Sequence, residues 1–264
     1  MTVPLMHPVL FEIGGFPLHT YGVLVAAGFL SGVWFMRGQA KLLGWDTEKV
    51  VDFCFMALFI GFIGCRLFFV LTQLSYFAEH PAEVFAVWEG GMVFYGGPVL
   101  VVPWALWWMR KNKFPLGTMS DLATQTLALG HAIGRWACLA AGCCYGKECS
   151  YPWGVRLNSE LVDVHLRGVP LHPVQLYESF SLFALFLFLR WLWKRRRFEG
   201  QIALAYFMAY AVIRSIMETF RGDLVRGFLI PGWISTSQFI SIILFIIAAA
   251  LYWRLSRRQS HQRP

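Results

Sequence analysis

Residues Val51–Leu74 read VDFCFMALFIGFIGCRLFFVLTQL, a run of 24 residues in which Asp52 and Arg66 are the only charged side chains. A helix of roughly 20 mostly apolar residues is long enough to cross the hydrocarbon core of a membrane. The run therefore predicts a transmembrane helix. It also raises a question, because Arg66 would then lie inside the membrane, where a charged side chain is costly.

The rest of the chain shares this apolar character. Of its 264 residues, 57% are hydrophobic and only 14% are charged, which is too little polar surface to cover a soluble globule of this size. Six further segments predict transmembrane helices: Tyr21–Met36, Met92–Met109, Leu122–Ala140, Leu176–Trp193, Ile202–Glu218 and Ser235–Trp253. The expected fold is an all-α integral membrane protein with seven transmembrane helices, forming a single membrane domain over residues 1–264.

The basic residues between the predicted helices indicate which side of the membrane each end of the chain faces. Fifteen lysines and arginines fall on the flanks of one side, and five fall on the other. Because the more basic side is normally cytoplasmic, the N-terminus is expected to be external and the C-terminus cytoplasmic. The net charge of +8 then reflects topology, and it does not indicate nucleic-acid binding because no basic and aromatic segment accompanies it.

Three arginines lie inside the predicted helices: Arg66, Arg135 and Arg214. An arginine at the centre of a helix costs about 2.5 to 3.5 kcal/mol on insertion scales, so each needs a partner, water or an anionic ligand. Pairing within the helix bundle or snorkelling to an interface is one explanation. The predicted helices contain few carboxylates to balance three cations, and the sequence therefore favours an anion-binding site.

Two helix faces group these arginines with other ionisable side chains. Arg214, Glu218 and Arg221 are four and three residues apart, which places them on one face of the sixth helix. His131 and Arg135 likewise share a face of the fourth helix. A planar guanidinium binds phosphate through two parallel hydrogen bonds and stays charged where water is scarce, so both faces suit a phosphate diester.

The order of these motifs resembles that of the prolipoprotein diacylglyceryl transferases, bacterial inner-membrane enzymes that move the diacylglyceryl group of phosphatidylglycerol onto the lipobox cysteine of a prolipoprotein. The resemblance covers nearly the whole chain. It rests on Tyr21–Gly22, Gly64 with Arg66, WEGGMVFYGG at Trp88–Gly97, Gly134–Arg135, HPVQLYE at His172–Glu178, and the face of Arg214, Glu218 and Arg221. It implies a multi-pass protein of the bacterial inner membrane that takes phosphatidylglycerol and a prolipoprotein signal peptide as substrates and needs no metal or other cofactor.

The chain departs from the best-known members of that family at two motifs. Tyr95 stands where those members have a histidine. After Gly134, Cys138 occupies an asparagine position and Cys143 occupies the position of a glutamate. These departures predict a divergent branch, in which either another residue replaces the missing histidine or the substrate differs.

The implied transfer needs a thiolate, an in-line approach to a glycerol carbon and stabilisation of the departing phosphate. Arg135 and Arg214 are predicted to stabilise that phosphate. His131 is the first candidate for the base, unless it is a packed histidine without a catalytic role. Glu218, which is also expected to pair with Arg214, and Tyr95, a poor base with an ordinary pKa of about 10, complete the predicted catalytic set. The residues predicted to bind substrate are Tyr21, Arg66, Gly96, Gly97, Gly134, His172 and Arg221.

Residues 141–175 are predicted to form a small periplasmic loop or cap within the membrane domain. The segment is interpreted either as a cap that positions the prolipoprotein or as a simple connector. It contains Cys143, Cys144 and Cys149, and a disulfide to Cys149 is compatible with an oxidising compartment. Three cysteines without a second paired cluster do not predict a zinc site, so no metal is expected.

Two other functions fit parts of the sequence. A thiol redox membrane protein would use the loop cysteines with a quinone, but the loop lacks a Cys-x-x-Cys pair and the arginines would have no part in that chemistry. An anion transporter, or a lipid-binding protein without catalysis, would use the arginines as a conduit or a head-group site. Release of glycerol phosphate would distinguish the transferase from both.

Overall fold

A computed structural model describes residues 9–14, 16–222, 228–230 and 234–260 of the chain. Within these residues the chain forms two compact units. One unit contains the residues up to Phe35 together with those from Ser120 onward, and the other contains Met36–Met119.

Helices make up most of the described chain. The α-helices are α1 (Thr20–Leu42), α2 (Thr47–Thr72), α3 (Leu74–Glu79), α4 (Gly96–Lys111), α5 (Leu116–Ala141), α6 (Val174–Trp193), α7 (Gln201–Phe220) and α8 (Thr236–Ser260). Short 3-10 helices lie at Pro81–Phe85, Val87–Glu89 and Val164–Leu166. Three two-stranded antiparallel sheets, which the sequence did not predict, pair β1 (Val9–Ile13) with β2 (Phe16–His19), β3 (Val155–Arg156) with β4 (Pro170–Leu171), and β5 (Phe228–Ile230) with β6 (Ile234–Ser235).

Five of the described helices are long and apolar enough to cross a membrane: α1, α2, α6, α7 and the part of α8 from Thr236 to Arg258. Their surfaces expose large apolar side chains. In α8, for example, Ile246 and Ile247 expose 60% and 52% of their area. Because an apolar surface of this extent is stable in lipid but not in water, the prediction of a helical, multi-pass membrane protein is confirmed.

The structure moves several predicted helix boundaries, including the start of α4 and the end of α1. α4 begins at Gly96, whereas the sequence placed its start at Met92. Gly90 and Gly91 have positive φ angles of 87° and 72°, a conformation that turns the chain away from a helical path just before this point. The end of α1 lies at Leu42, beyond the predicted end at Met36. The apolar part of the helix is therefore followed by a last turn that contains the basic Lys41, which interacts favourably with the helix dipole.

Close contact between α2 and α4 organises the unit Met36–Met119. Gly64 and Gly96 face each other where the two helices cross, and a Cβ atom at either position would overlap the backbone of the other. Small residues allow helix backbones in membranes to approach this closely. Nearer the other end of the crossing, the ring of Phe53 stacks on Trp104 at a centroid distance of 5.4 Å. These contacts fix the position of α4 along α2.

In the other unit, the buried Asp121 connects the start of α5 to the start of α7. Its carboxylate accepts hydrogen bonds from the backbone N–H groups of Gly200 at 3.0 Å and Ala203 at 2.8 Å. The first N–H groups of a helix have no partner within it, so a carboxylate there satisfies free donors and interacts favourably with the helix dipole. Asp121 thereby fixes α7, whose far end carries Arg214 and Glu218.

Residues 142–173 form a folded segment that has its own small core. β3 and β4 pair in it, and the core consists of Leu139, Tyr145, Val155, Leu157, Val162 and Leu171. The backbone of Gly146 also pairs with Arg221, immediately after α7. Since Leu139 belongs to α5, the segment is attached to the C-terminal ends of both α5 and α7.

Candidate active site

One face of α7 carries an ion pair near the C-terminal end of the helix. Arg214 Nη2 lies 2.8 Å from Glu218 Oε2, one helical turn further on, and both side chains are largely buried. Ser237, the second residue of α8, accepts a hydrogen bond from Arg214 Nη2 at 3.2 Å and donates one to Glu218 Oε2 at 2.9 Å. The expected pairing of Glu218 with Arg214 is therefore present, and α8 holds it in place.

A second ion pair links α5 to α6. Arg135 Nη2 lies 2.7 Å from Glu178 Oε2, and only 2% of Glu178 is exposed. His131 Nε2 lies 3.6 Å from the other carboxylate oxygen of Glu178. Glu178 thus contacts both of the residues that their spacing predicts on one face of α5.

The two ion pairs share one electrostatic environment. The hydroxyl of Tyr210, one turn before Arg214 on α7, interacts with the charges of Glu178, Arg214 and Arg135. The Tyr210 ring centroid lies 5.8 Å from that of His131. His131 in turn interacts with the charges of Glu178, Arg135 and Arg214. Side chains from α5, α6 and α7 therefore converge on one polar region inside the unit.

Both arginines keep a buried N–H donor that no other described residue accepts. Arg135 Nε and Arg214 Nη1 have no hydrogen-bond acceptor among the described residues. Leaving a buried donor unsatisfied costs about 1–3 kcal/mol, and more when the group is charged. An anionic oxygen would satisfy such donors, and two guanidinium groups in one polar region suit a phosphate group.

Three of the residues predicted to bind substrate lie on helices or helix ends of the same unit. Tyr21 is in the first turn of α1 and exposes 46% of its area. A Cβ atom at Gly134 would meet nothing within 4 Å, so α5 presents an open surface beside Arg135. Arg221 follows α7 and pairs through its backbone with the 142–173 segment. Substrate contact by these residues stays a prediction.

His172, a fourth such residue of this unit, lies in an aromatic cluster at the start of α6. Its Nδ1 is 3.2 Å from the hydroxyl of Tyr177, which also accepts a hydrogen bond from Trp153 Nε1 at 2.8 Å. Its ring centroid is 5.4 Å from that of Phe220. These contacts favour a role in fixing the start of α6 over direct contact with substrate.

Arg66 lies in the other unit and is surrounded by backbone acceptors. Its guanidinium donates hydrogen bonds to the carbonyl oxygens of Glu83, Val84, Gly90 and Gly91, at distances between 2.6 and 3.1 Å. The guanidinium also lies over two phenylalanine rings. This arrangement gives Arg66 a structural role in holding the 83–91 segment, and its predicted contact with substrate stays a prediction.

Tyr95, Gly96 and Gly97 lie in the same unit as Arg66. Tyr95 precedes α4 and exposes 42% of its area. Gly96 and Gly97 are buried, and they face the backbone of Gly64 and the sulfur of Cys65. Close packing of α2 on α4 is therefore sufficient to explain both glycines, whereas the predicted catalytic role of Tyr95 stays a prediction.

The structure groups the cysteines differently from the sequence. The sulfur atoms of Cys138, Cys143 and Cys144 lie within 4.8 Å of one another, and Cys149 is outside this group. All six cysteines are free, so the disulfide considered for Cys149 is not formed. Hydrogen bonds from the thiols of Cys138 and Cys143 lower the pKa of the Cys144 thiol, and the positive charges of two nearby arginines act in the same direction. Hydrogen bonds with Cys138 and Cys144 raise the pKa of the Cys143 thiol.

Two side chains of the site were missed by sequence reasoning. Glu178 is the last residue of HPVQLYE, and its signal was a carboxylate inside an otherwise apolar predicted helix. Ser237 gave no such signal, because a small polar residue near the start of a helix is common. Only the packing of α8 against α7 shows that its hydroxyl joins both members of the ion pair.

Comparison with known proteins shows the family to which the chain belongs. The sequence model of the prolipoprotein diacylglyceryl transferase family matches residues 8–254. Two phosphatidylglycerol–prolipoprotein diacylglyceryl transferases, from Legionella pneumophila (strain Paris) and Clostridium tetani (strain Massachusetts / E88), are 32% and 31% identical to the chain and cover 96% and 94% of it, with 98% and 97% of their own lengths matched. A third, from Geobacter sulfurreducens, is 31% identical over 98% of the chain and 99% of its own length. This chain belongs to the prolipoprotein diacylglyceryl transferase family.

Proposed function

We propose that this protein transfers the diacylglyceryl group of phosphatidylglycerol to the lipobox cysteine of a prolipoprotein, as the names of its relatives state for those proteins. Family membership supports the reaction class. The local observation that carries the proposal is the pair of buried, unsatisfied donors on Arg135 and Arg214. A transporter or a thiol redox protein receives no support from the relatives.

The chemical step is a displacement at carbon. The thiolate sulfur attacks the glycerol carbon that bears the phosphate ester, and a C–S bond forms as the C–O bond to the phosphate breaks. The electron pair of that bond leaves on a phosphate oxygen, so the products are a thioether and glycerol phosphate. The proton of the thiol passes to a base and finally to the phosphate or to water.

Arg135 and Arg214 are proposed to bind the phosphate and to stabilise the charge that develops on it. The leaving phosphate gains negative charge as the C–O bond breaks, so donors that are fixed beforehand stabilise the transition state more than the ground state. Glu178 and Glu218 hold the two guanidinium groups from one side. The donors that remain unsatisfied are the ones assigned to the phosphate.

His131 is proposed as the base. Its Nε2 lies 3.6 Å from Glu178 Oε1, and a carboxylate beside an imidazole stabilises the imidazolium that forms when the ring accepts a proton. Its side chain is one-third exposed, which leaves room for a thiol to approach. This arrangement offers a substitute for the histidine that Tyr95 replaces. Glu218 is already bound by Arg214 and Ser237, which makes it the weaker candidate.

The proposal includes a seven-span topology in the bacterial inner membrane, with an external N-terminus, a cytoplasmic C-terminus and residues 141–175 as a periplasmic cap. Of the seven proposed membrane-spanning helices, α4 and α5 are the two that hydropathy alone does not identify among the described residues. Support comes from the parallel course of α5 and α7. Their starts meet at Asp121, near the basic run Lys194–Arg197, and their ends meet at the 142–173 segment.

The test uses the purified full-length protein in detergent with phosphatidylglycerol and a lipobox peptide. Mass spectrometry should show a peptide heavier by one diacylglyceryl group, together with one equivalent of glycerol phosphate. A peptide with serine in place of cysteine is the matched substrate control. Arg110→Ala is the matched protein control, because Arg110 is exposed at the end of α4.

The outcomes separate the candidate functions. A cysteine-dependent adduct supports the transferase. Phosphatidylglycerol binding without adduct or glycerol phosphate would leave a lipid-binding protein, and anion flux in vesicles without lipid turnover would indicate a transporter. If adduct formation survived in both Arg135→Ala and Arg214→Ala, the phosphate role of these residues would be wrong.

A further inference from the structure

Three cysteine side chains meet at the C-terminal end of α5. The sulfur atoms of Cys138, Cys143 and Cys144 all lie within 4.8 Å of one another, and each residue is partly buried. Metal–sulfur bonds are about 2.3 Å long, so sulfurs that share one ion lie about 4 Å apart. The spacing of the three sulfurs therefore already approaches that of a ligand set.

Local backbone geometry explains why Cys138 and Cys143 meet. Gly142 ends α5 with a φ angle of 74°, and its N–H donates to the carbonyl oxygen of Leu139 at 3.1 Å. The N–H of Cys143 donates to the carbonyl oxygen of Cys138 at 3.0 Å. This pair of bonds is the Schellman motif, in which the residue after the glycine folds back over the last full turn of the helix. The sequence CLAAGC, residues 138–143, therefore brings the side chains of Cys138 and Cys143 together.

Cys144 completes the group through an unusual backbone conformation. Its φ angle is 59°, in the left-handed region that residues other than glycine rarely adopt. Such strain persists only where the surroundings hold it, and it often marks a functional site. Here the wholly buried Gln175 of α6 donates from Nε2 to the carbonyl oxygen of Cys143 at 2.7 Å, which fixes the turn.

A positive charge adjoins the sulfurs. Arg135 Nη1 lies 3.6 Å from the sulfur of Cys138. Metal binding by three cysteines releases three protons and leaves a net negative charge, which a neighbouring guanidinium offsets. The soft, polarizable sulfur ligands select thiophilic d10 ions over hard ions such as Mg²⁺ or Ca²⁺.

We propose that Cys138, Cys143 and Cys144 bind one thiophilic metal ion of the Zn²⁺ or Cu⁺ class. The site adjoins Arg135, but metal binding there does not require the transfer reaction. It differs from the grouping that the sequence suggested, since it includes Cys138 and leaves out Cys149. The ion would lie at the junction of α5, α6 and the 142–173 segment, where it ties the turn to the helix that carries Arg135.

The experiment titrates the reduced, metal-free, full-length protein with Cd²⁺ in the absence of lipid and peptide. The expected result is one bound equivalent with the ultraviolet charge-transfer absorption of cadmium–thiolate bonds, and this absorption should disappear when Cu⁺ displaces the cadmium. Cys143→Ser and Cys144→Ser should lose this absorption. Cys149→Ser is the matched control and should keep it, because Cys149 is a buried cysteine outside the group.

A second measurement does not depend on the folding of the variants. Zn²⁺ should protect Cys138, Cys143 and Cys144 of the unmodified protein from alkylation, with the protected positions identified by peptide mass mapping. Equal alkylation with and without Zn²⁺ would overturn the proposal, as would an unchanged absorption in Cys143→Ser. Isolation of the protein with two of the three sulfurs in a disulfide would replace the metal site with a redox pair. None of these outcomes decides whether the protein is a transferase, which the peptide adduct assay tests separately.

Discussion

Arg66 in one unit and Arg135 in the other are both buried arginines on apolar helices, yet their hydrogen-bonding states are opposite. Arg66 donates to four backbone carbonyl oxygens and lies over two aromatic rings. Arg135 is paired with Glu178, and its Nε has no acceptor among the described residues. Arg214 resembles Arg135, because it has a carboxylate partner and an unused buried donor.

The comparison shows that burial of a charge does not by itself identify a binding site. A guanidinium has five N–H donors, and the number that the protein leaves unused decides what else the group can bind. The Arg66 side chain donates to four backbone carbonyl oxygens of the 83–91 segment, and these hydrogen bonds explain its burial without a ligand. Arg135 and Arg214 keep donors unused among the described residues, which is the arrangement expected of the proposed phosphate site.

The largest expected effect is on turnover in Arg135→Ala and Arg214→Ala. Each change removes a donor that is proposed to stabilise the departing phosphate, so diacylglyceryl transfer should fall by about 10²- to 10³-fold. The rate is measured by the peptide adduct assay, with Arg110→Ala as the control. A fall confined to the apparent affinity for phosphatidylglycerol, with the maximal rate unchanged, would show that these residues bind the head group without acting in the transition state.

Arg66→Ala should chiefly affect stability. The change leaves several buried carbonyl oxygens without donors and should lower the free energy of unfolding by about 3 kcal/mol. Thermal unfolding in detergent measures this effect, while the transfer rate per folded molecule should stay within a few fold of the parent. Normal stability with a large loss of phosphatidylglycerol affinity would reverse the comparison and restore Arg66 as a substrate-binding residue.

Gly64→Ala should lower the free energy of unfolding by about 1–3 kcal/mol, because the added Cβ would overlap the Gly96 backbone and force α2 and α4 apart. Gly61→Ala is the matched control on α2. A Cβ at Gly61 would lie 3.5 Å from Val101 Cγ2, which is an ordinary contact. Equal melting temperatures for the two variants would contradict the close crossing of α2 and α4.

Ser237→Ala should have the smallest effect. The change removes the hydroxyl that joins Arg214 to Glu218 but leaves the ion pair itself. The transition state should therefore lose about 1 kcal/mol of stabilisation, which is roughly a fivefold decrease in transfer rate. Ser241→Ala, one turn further along α8, is the control, since its hydroxyl bonds only within its own helix among the contacts described. A decrease as large as that of Arg214→Ala would mean that Ser237 itself contacts substrate.

Much of the site was predictable because helix periodicity is local. The spacing of Arg214 and Glu218, and of His131 and Arg135, is enough to place each pair on one face of its helix. The partner of Arg135 was not predictable in this way. Glu178 lies more than 40 residues further along the chain, and its contact depends on how α6 packs against α5.

The cysteines show the same limit. Sequence proximity suggested Cys143, Cys144 and Cys149, yet the Schellman turn at Gly142 brings Cys138 into the group and the 142–173 segment carries Cys149 away from it. A glycine after an apolar helix was a usable signal for that turn. The left-handed conformation of Cys144 had no sequence signal, because it depends on the anchoring of the turn by Gln175.

The sequence by itself determined the membrane class, the approximate positions of the helices and the family, because hydropathy, charge distribution and motif order are properties of the chain in one dimension. Only the tertiary structure decided which buried arginines are satisfied and which are not. Hydrogen-bond satisfaction depends on the distance and direction of acceptors that come from other parts of the fold. The same physical reason separates Arg66 from Arg135 and Arg214, which look alike in the sequence.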